Sequence, residues 1–344
     1  MAQIVVPYTD VQESFMTKTM KNSRGFFVGA IFAVASSIAA TQAIGATSII
    51  VPYSAGGSSD VIARLTAPYL SQSLGDDVIV ENIVGATGAI AIQRVINSEA
   101  DGRLVYQGTA GEMIIPPLTN DAIKFEPNDL EAVHPITVSN LVLLVRKDLP
   151  VNSVEEFIKL AKEKSKTESL TYGSPGVGSL YHLVVEAMGK TSDAQYVHVP
   201  YKGAAPMLQD LIGERIDFTV MAFTGNMPSA ANAGQYKILA NMSVNKQPEL
   251  QHLPTISEYP EFKDIDFRTG STLVVKKGTA PEIKERLNAA IAAAISNEEL
   301  VKKLEAEGRQ AASPMSLKEA SDYYKKEISQ YEKVIDLTGF NANN

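Results

Sequence analysis

The 344 residues contain no cysteine and no tryptophan, and only four histidines. Without thiols there is no disulfide, no thiolate nucleophile and no cysteine-rich zinc site, so the chain is indifferent to the redox state of its compartment. His134, His182, His198 and His252 form no pair at metal-ligand spacing, so neither a metal site nor a cofactor is expected. The patterns G-x-S-x-G, H-E-x-x-H and G-x-x-x-x-G-K-[ST] are absent as well, and no catalytic residue is assigned. Basic blocks are missing too. Of 31 basic and 39 acidic residues, positions 1–46 hold three and two, which leaves 28 against 37, a net charge of −9. Such a surface argues against nucleic acid as a partner. It does not exclude an anionic ligand, because a few local N–H groups outweigh a distant acidic surface.

Hydrophobic residues make up 45% of the chain and charged residues 20%, ordinary values for a globular protein of two medium domains. Lys18, Lys21 and Arg24 precede an apolar run over 26–40 that is followed by small residues. That is the layout of a cleaved secretory signal peptide, with an uncleaved membrane anchor as the alternative. Translation from Met16 or Met20 is expected, with residues 1–15 as an artefact of start assignment.

From Ile49 onward short apolar runs alternate with helical patterns, which indicates α/β domains with mainly parallel sheets flanked by helices. Strands are expected at 49–51, 78–80 and 104–106, then at 141–145, 170–172, 196–199, 216–221, 238–240 and 273–275. Ser153 with Glu156 and Ser316 with Glu319 are capping boxes that open helices. Pro68 should kink the first helix. Domain 1 is expected over 47–143 and 271–344 and domain 2 over 144–270, after an N-terminal extension and signal peptide over 1–46. Two hinge strands, near 141–146 and 270–276, join the domains. The C-terminal helices should pack on domain 1.

The chain is organised around Ile49–Asp60. The run Ile49-Ile50-Val51 reads as a buried strand, and Pro52 ends it. Tyr53-Ser54-Ala55-Gly56-Gly57 then forms a loop in which Gly56 and Gly57 expose bare backbone. Ser58, Ser59 and Asp60 are N-cap residue types that open a helix. Strand, glycine turn and helix N-terminus make a place for a carboxylate. The same pattern also reads as a plain βα turn that binds nothing. Further loops lie at strand ends, where ligands bind in open α/β sheets. One contains Thr87 and another Thr109. The most glycine-dense carries Ser174, Gly176, Val177, Gly178 and Ser179, followed by His182 in the first turn of a helix. Pro175 and the lack of a placed acidic partner argue against a dinucleotide there. Tyr201 follows the next strand. Asp217 either accepts hydrogen bonds in the cleft or caps a strand, His182 either touches ligand or is structural, and Phe223 could read the distal end of a ligand.

Pro52-Tyr53-Ser54-Ala55-Gly56-Gly57-Ser58-Ser59-Asp60 resembles the P-[FY]-x-[AP]-G-G-x-x-D opening of the tripartite tricarboxylate transporter substrate-binding proteins, the Bug (TctC-like) family. The resemblance continues at Glu81-Asn82, Gly85-Ala86-Thr87-Gly88, Asp101-Gly102, Gly108-Thr109, Tyr172–Ser179 with His182, Val199–Ala204 and Leu253-Pro254-Thr255, in order over about 47–340. It implies a two-domain periplasmic binding protein of type II-like fold that is not an enzyme. It would act as a monomer, close over a small carboxylate and deliver it to a permease of one large and one small membrane subunit. It also implies that the carboxylate is held by Ser54–Ser59 and Ser174–Ser179, partly through water. Where the family often has Arg-Pro after Glu-Asn, this chain has Ile83-Val84. A periplasmic sensor for a membrane kinase needs the same cleft, and an enzyme on this fold stays open as a third reading.

Overall fold

Five consecutive buried residues, Thr47–Val51, form β1, an internal strand of the first sheet, because helices cover both faces of such parallel strands. The computed structural model describes residues 46–343, so the signal peptide and the start assignment lie outside the described residues. The chain continues through α1 (Ser58–Leu74), β2 (Val78–Asn82), α2 (Ala89–Ile96), β3 (Leu104–Gly108), α3 (Ala110–Thr119) and β4 (Leu130–Pro135). It then enters β5 (Thr137–Arg146), α4 (Val154–Lys164), β6 (Leu170–Ser174), α5 (Leu180–Ser192), β7 (Tyr196–Pro200), α6 (Ala204–Ile212), β8 (Phe218–Ala222), α7 (Met227–Asn232) and β9 (Tyr236–Asn241). It closes with β10 (Arg268–Thr269), β11 (Thr272–Lys276), α8 (Pro281–Ile295), α9 (Glu298–Ala306), β12 (Gln310–Ala311) and α10 (Leu317–Thr338).

The first sheet has the order β2-β1-β3-β11-β4, and the second has β10-β5-β8-β6-β7 with β9 and β12 also on β5. Both are mixed rather than mainly parallel. The pairs β1–β2, β1–β3, β6–β7 and β6–β8 are parallel, whereas every pairing of β5 and of β11 is antiparallel. The physical reason is connectivity. A strand that arrives from the other lobe enters its sheet against the direction set by the local βαβ units. Apolar content is the same either way, so residue pattern alone does not reveal the reversal.

The chain leaves the first sheet after Pro135 rather than at 141–146, and Leu141–Val145 pairs with β8 inside the second lobe. It returns through Gly270-Ser271. The two passages lie side by side: Arg268 pairs with Asn140 and Thr272 with Pro135, and the Ile136 N–H donates to the Ser271 carbonyl at 2.7 Å. Gly308 ends α9, and β12 then ties residues 310–311 to Thr137 and Val138 of the same passage.

Local signals hold where they are local. Gly75 at φ 67° ends α1, and Pro68 lies inside that helix without ending it. The Ser316 and Glu319 box opens α10, with the Ser316 N–H donating to Glu319 at 2.7 Å. That helix does not stay on the first lobe. Tyr324 donates to the Pro127 carbonyl, while Gln330 donates to the Asp266 carbonyl beside β10 and Tyr331 meets Phe267 edge-on at 6.2 Å. One buried core cluster therefore includes Ile50 and Tyr106 of the first lobe, Tyr324 and Tyr331 of α10, and Leu143 and Phe218 of the second lobe. No helix among the described residues is long and apolar enough to cross a membrane.

Candidate functional site

The loop after β1 is built from inside. The Gly57 N–H closes a turn on the Ser54 carbonyl at 3.1 Å, and Gly56 at φ 81° adopts the left-handed backbone that favours glycine. Asp60 is buried beneath the loop. It accepts from the Gly56 N–H at 2.8 Å, from Arg64 Nε at 2.9 Å and from Asn82 Nδ2 at 2.9 Å. The Arg64 guanidinium and these hydrogen bonds outweigh burial and hold its carboxyl down at about 2. Asp60 is thus not the N-cap of α1. It is a fixed anion that pulls the loop into shape, and Gly57 is the N-cap residue. Tyr53, Ser54, Ala55, Gly56 and Ser58 stay exposed and Ser59 half-buried above it.

Beside this loop, Gly85, Ala86, Thr87 and Gly88 all have positive φ, at 132°, 45°, 51° and 92°. For Ala86 and Thr87 this is an unfavourable backbone held by its surroundings. Gly88 packs so closely that a Cβ there would lie 3.1 Å from the Tyr106 hydroxyl and 3.3 Å from Pro52. Thr109 caps α3 and its N–H donates to Glu112. Glu112 is the hub of this lobe's site. Its buried carboxylate accepts from Tyr53 at 2.8 Å, Tyr106 at 3.0 Å and the Thr109 N–H at 2.9 Å, and burial pushes its pKa up.

In the second lobe, Gly176 (φ 151°) and Gly178 (φ 74°) shape the loop after β6. Ser174 is fully buried. Its hydroxyl donates to the Gly176 carbonyl at 2.9 Å and lies 2.7 Å from His198 Nε2. Ser179 caps α5 and donates to the Gly176 carbonyl. Val177 is 66% exposed at the loop tip. His182 is buried, accepts the Gly178 N–H on Nδ1 and stacks on His198 at 4.3 Å. Burial, and then the neighbouring His198, lower its pKa to about 4, so it is neutral at pH 7 and fastens the loop.

Three of the expected residues have side chains engaged within the protein itself. Asp217 precedes β8, so it sits at the opposite end of that strand from the loops that follow β6 and β8. There it accepts from Arg146 Nε at 2.8 Å and from the Thr171 N–H at 2.7 Å. Phe223 is buried with Val142, Leu144 and Met221 in a core cluster, because its position after the strand continues the inward face. The Tyr201 hydroxyl is committed to Asp210 at 2.8 Å, although its N–H remains on the Ser174 carbonyl at the loop base.

The lobes meet through residues that local pattern does not flag. Burial pushes up the pKa of Tyr181, in the first turn of α5, against the opposing charge of Arg309. Arg309, after the turn that ends α9, donates from Nη2 to the Ser58 hydroxyl at 2.5 Å. Gly308 packs on Thr224 and Gly225, where a Cβ would stand 3.4 Å and 3.3 Å from their nearest atoms. The Thr109-x-x-Glu112 spacing is a capping box that could have pointed to Glu112. Nothing local could have joined Arg309 to Ser58, 251 residues away. Among the described residues, no group of three or more His, Cys, Asp or Glu could hold a metal ion.

The model of the tripartite tricarboxylate transporter family receptor, TctC, matches residues 62–340. Protein BugT of Bordetella pertussis is 29% identical over 324 residues, 92% of this chain and 96% of BugT. A TctC solute binding protein from Polaromonas superposes with a TM-score of 0.72 at 29% identity, over 85% of this chain and 98% of that one. An R. palustris protein solved with adipate superposes with a TM-score of 0.71 at 31% identity, over 86% of this chain and 98% of that one.

Proposed function

Because the chain belongs to the TctC family of tripartite tricarboxylate transporter receptors, we propose that it is a periplasmic solute-binding protein that captures a small carboxylate between its lobes. It delivers the solute to a permease with one large and one small membrane subunit, and it does so as a monomer without chemical turnover. The lobes divide at Ile136 and at Gly270-Ser271, and these passages are the hinge. The observation that carries the carboxylate reading is the loop Ser54–Ser59. It presents exposed backbone, the exposed residues Ser54 and Ser58 and the first N–H groups of α1 on a frame fixed from below by Asp60. The positive end of that helix favours an anion, and a carboxylate fits its small opening. Ser174–Ser179 with its glycine turns faces the ligand from the second lobe, and Thr87 and Thr109 complete the first. Ligand would stabilise the closed arrangement through contacts made to both lobes at once.

Adipate, present in the R. palustris relative, is the first acid to try. A ligand at 100 times its Kd stabilises by about 2.7 kcal/mol, a rise in melting temperature of roughly 5 °C for a chain of this size. In a thermal-shift series of mono-, di- and tricarboxylates with their amides, an acid should raise the melting temperature where its amide does not. Equal shifts with acid and amide, or none with any acid, would contradict the reading.

A further inference from the structure

We propose that Arg309 is a charge-reading residue of the carboxylate site, supplied from outside the strand-end loops and shared by both lobes. This rests on the solute-binding reading above. The guanidinium stands beside the start of α1, bonded to the Ser58 hydroxyl. It makes no ion pair with any carboxylate among the described residues. The nearby carboxylate, Glu112, is already occupied by two tyrosine hydroxyls and a backbone N–H. A half-buried cation of this kind lacks its counterion, and a guanidinium fork presents five donors of which Ser58 takes one.

Its position is fixed on both sides. Gly308, at φ 70°, ends α9 and its N–H donates to the Glu305 carbonyl at 2.8 Å. The Arg309 N–H donates to the Leu304 carbonyl at 2.8 Å. The next residues, Gln310 and Ala311, pair with the passage strand at Val138 and Thr137. Gly308 also rests on Thr224 and Gly225 of the second lobe. The side chain is therefore presented from a turn that both lobes touch, so little order has to be imposed when an anion arrives. A carboxylate at the α1 start completes the ion pair that the fold leaves open, and a neutral isostere at the same place leaves the guanidinium unpaired.

The test is a calorimetric titration of adipate and of adipamide into the full chain, wild type and Arg309→Met, at low and high salt. Lys302→Met, an exposed change of the same net charge on α9, is the control. A charge-assisted hydrogen bond predicts that Arg309→Met weakens adipate binding by about ten- to hundredfold and reduces its salt dependence. Arg309→Lys should recover part of the loss, and Lys302→Met should bind as wild type does. Equal adipate affinity in wild type and Arg309→Met overturns the role of Arg309 while leaving the carboxylate site in place. Wild-type protein that binds no adipate, nor any other acid that shifts its melting temperature, overturns both.

Discussion

Gly270→Ala is expected to destabilise the protein by about 3–5 kcal/mol, among the large effects for a single methyl group. A Cβ at 270 would stand 2.1 Å from the Thr137 carbonyl oxygen and 3.2 Å from the Val138 Cα. Both are backbone atoms of the other passage between lobes, so no side-chain rotamer relieves the contact. Retreat would stretch the bonds from the Ile136 and Thr137 N–H groups to the Ser271 carbonyl, at 2.7 and 3.2 Å, and the bond from the Ser271 N–H to Thr137 Oγ1 at 3.1 Å. These bonds hold the two crossing segments together. Urea unfolding followed by circular dichroism checks this, with the midpoint falling sharply. An unfolding free energy within about 0.5 kcal/mol of wild type, the range of a neutral surface change, would mean that the passages are not locked side by side.

Stability is expected to fall as pH rises from about 5 to 8, and Glu327→Gln is expected to lessen that fall. Glu327 lies on α10 against Arg268 of β10 and is buried, with Oε2 lacking any hydrogen-bond partner. It lines a cavity of about 40 Å³ together with Asp266, Arg268, Tyr323 and Gln330. Burial raises its pKa from the ordinary 4.5 to about 8, with the Tyr323 hydroxyl and the Arg268 charge opposing. The folded state thus favours the neutral acid. Its contribution is complete below the unfolded value and is lost as pH rises through the folded one, at roughly 1.4 kcal/mol for each pH unit between them. Glutamine keeps the neutral form at every pH. Melting curves across pH 5.5–8.5 should therefore slope downward for wild type and run flatter for the variant. Parallel curves would show that Glu327 carries its charge in the folded protein.

The legible parts of this protein are those whose cause is local. An apolar β-branched run, a glycine turn and a helix opening place β1, its loop and α1 within a few residues of the observed bounds. The same holds for α10, because Ser316 and Glu319 satisfy each other's backbone across three residues. What was not legible depends on direction or on distance along the chain. Asp217 has the right chemistry for a cleft, but it precedes its strand, and only the parallel pairing of β6 with β8 shows that this end faces away from the loops. Phe223 carries no mark that separates a ligand reader from a core residue. Leu141–Val145 is apolar because it is central in the second sheet, which hides the passage at Ile136 from any reading of hydropathy. Asp60 was visible as a polar residue at a helix start, yet its role is set by Arg64 and Asn82, one of them on another strand. Arg309 is invisible for the same reason, since its partner Ser58 lies 251 residues away in sequence.

The account stands most directly on the loop at the start of α1, and one substitution tests it with little risk to the fold. Gly57 has φ −74° and ψ 165°, a backbone that valine adopts readily. Its Cβ would lie 3.1 Å from the Ser54 carbonyl, a contact that a shift of the exposed loop relieves. The added methyl groups would cover the first N–H groups of α1. Calorimetric titration of adipate into wild type and Gly57→Val, with melting temperatures measured alongside, is the measurement to make. The account predicts binding to wild type and an affinity at least about a hundredfold weaker in the variant, the loss of a charge-assisted contact, with melting temperatures that agree in the absence of ligand. Wild-type affinity in Gly57→Val would contradict it, because the carboxylate would then sit somewhere other than the end of β1.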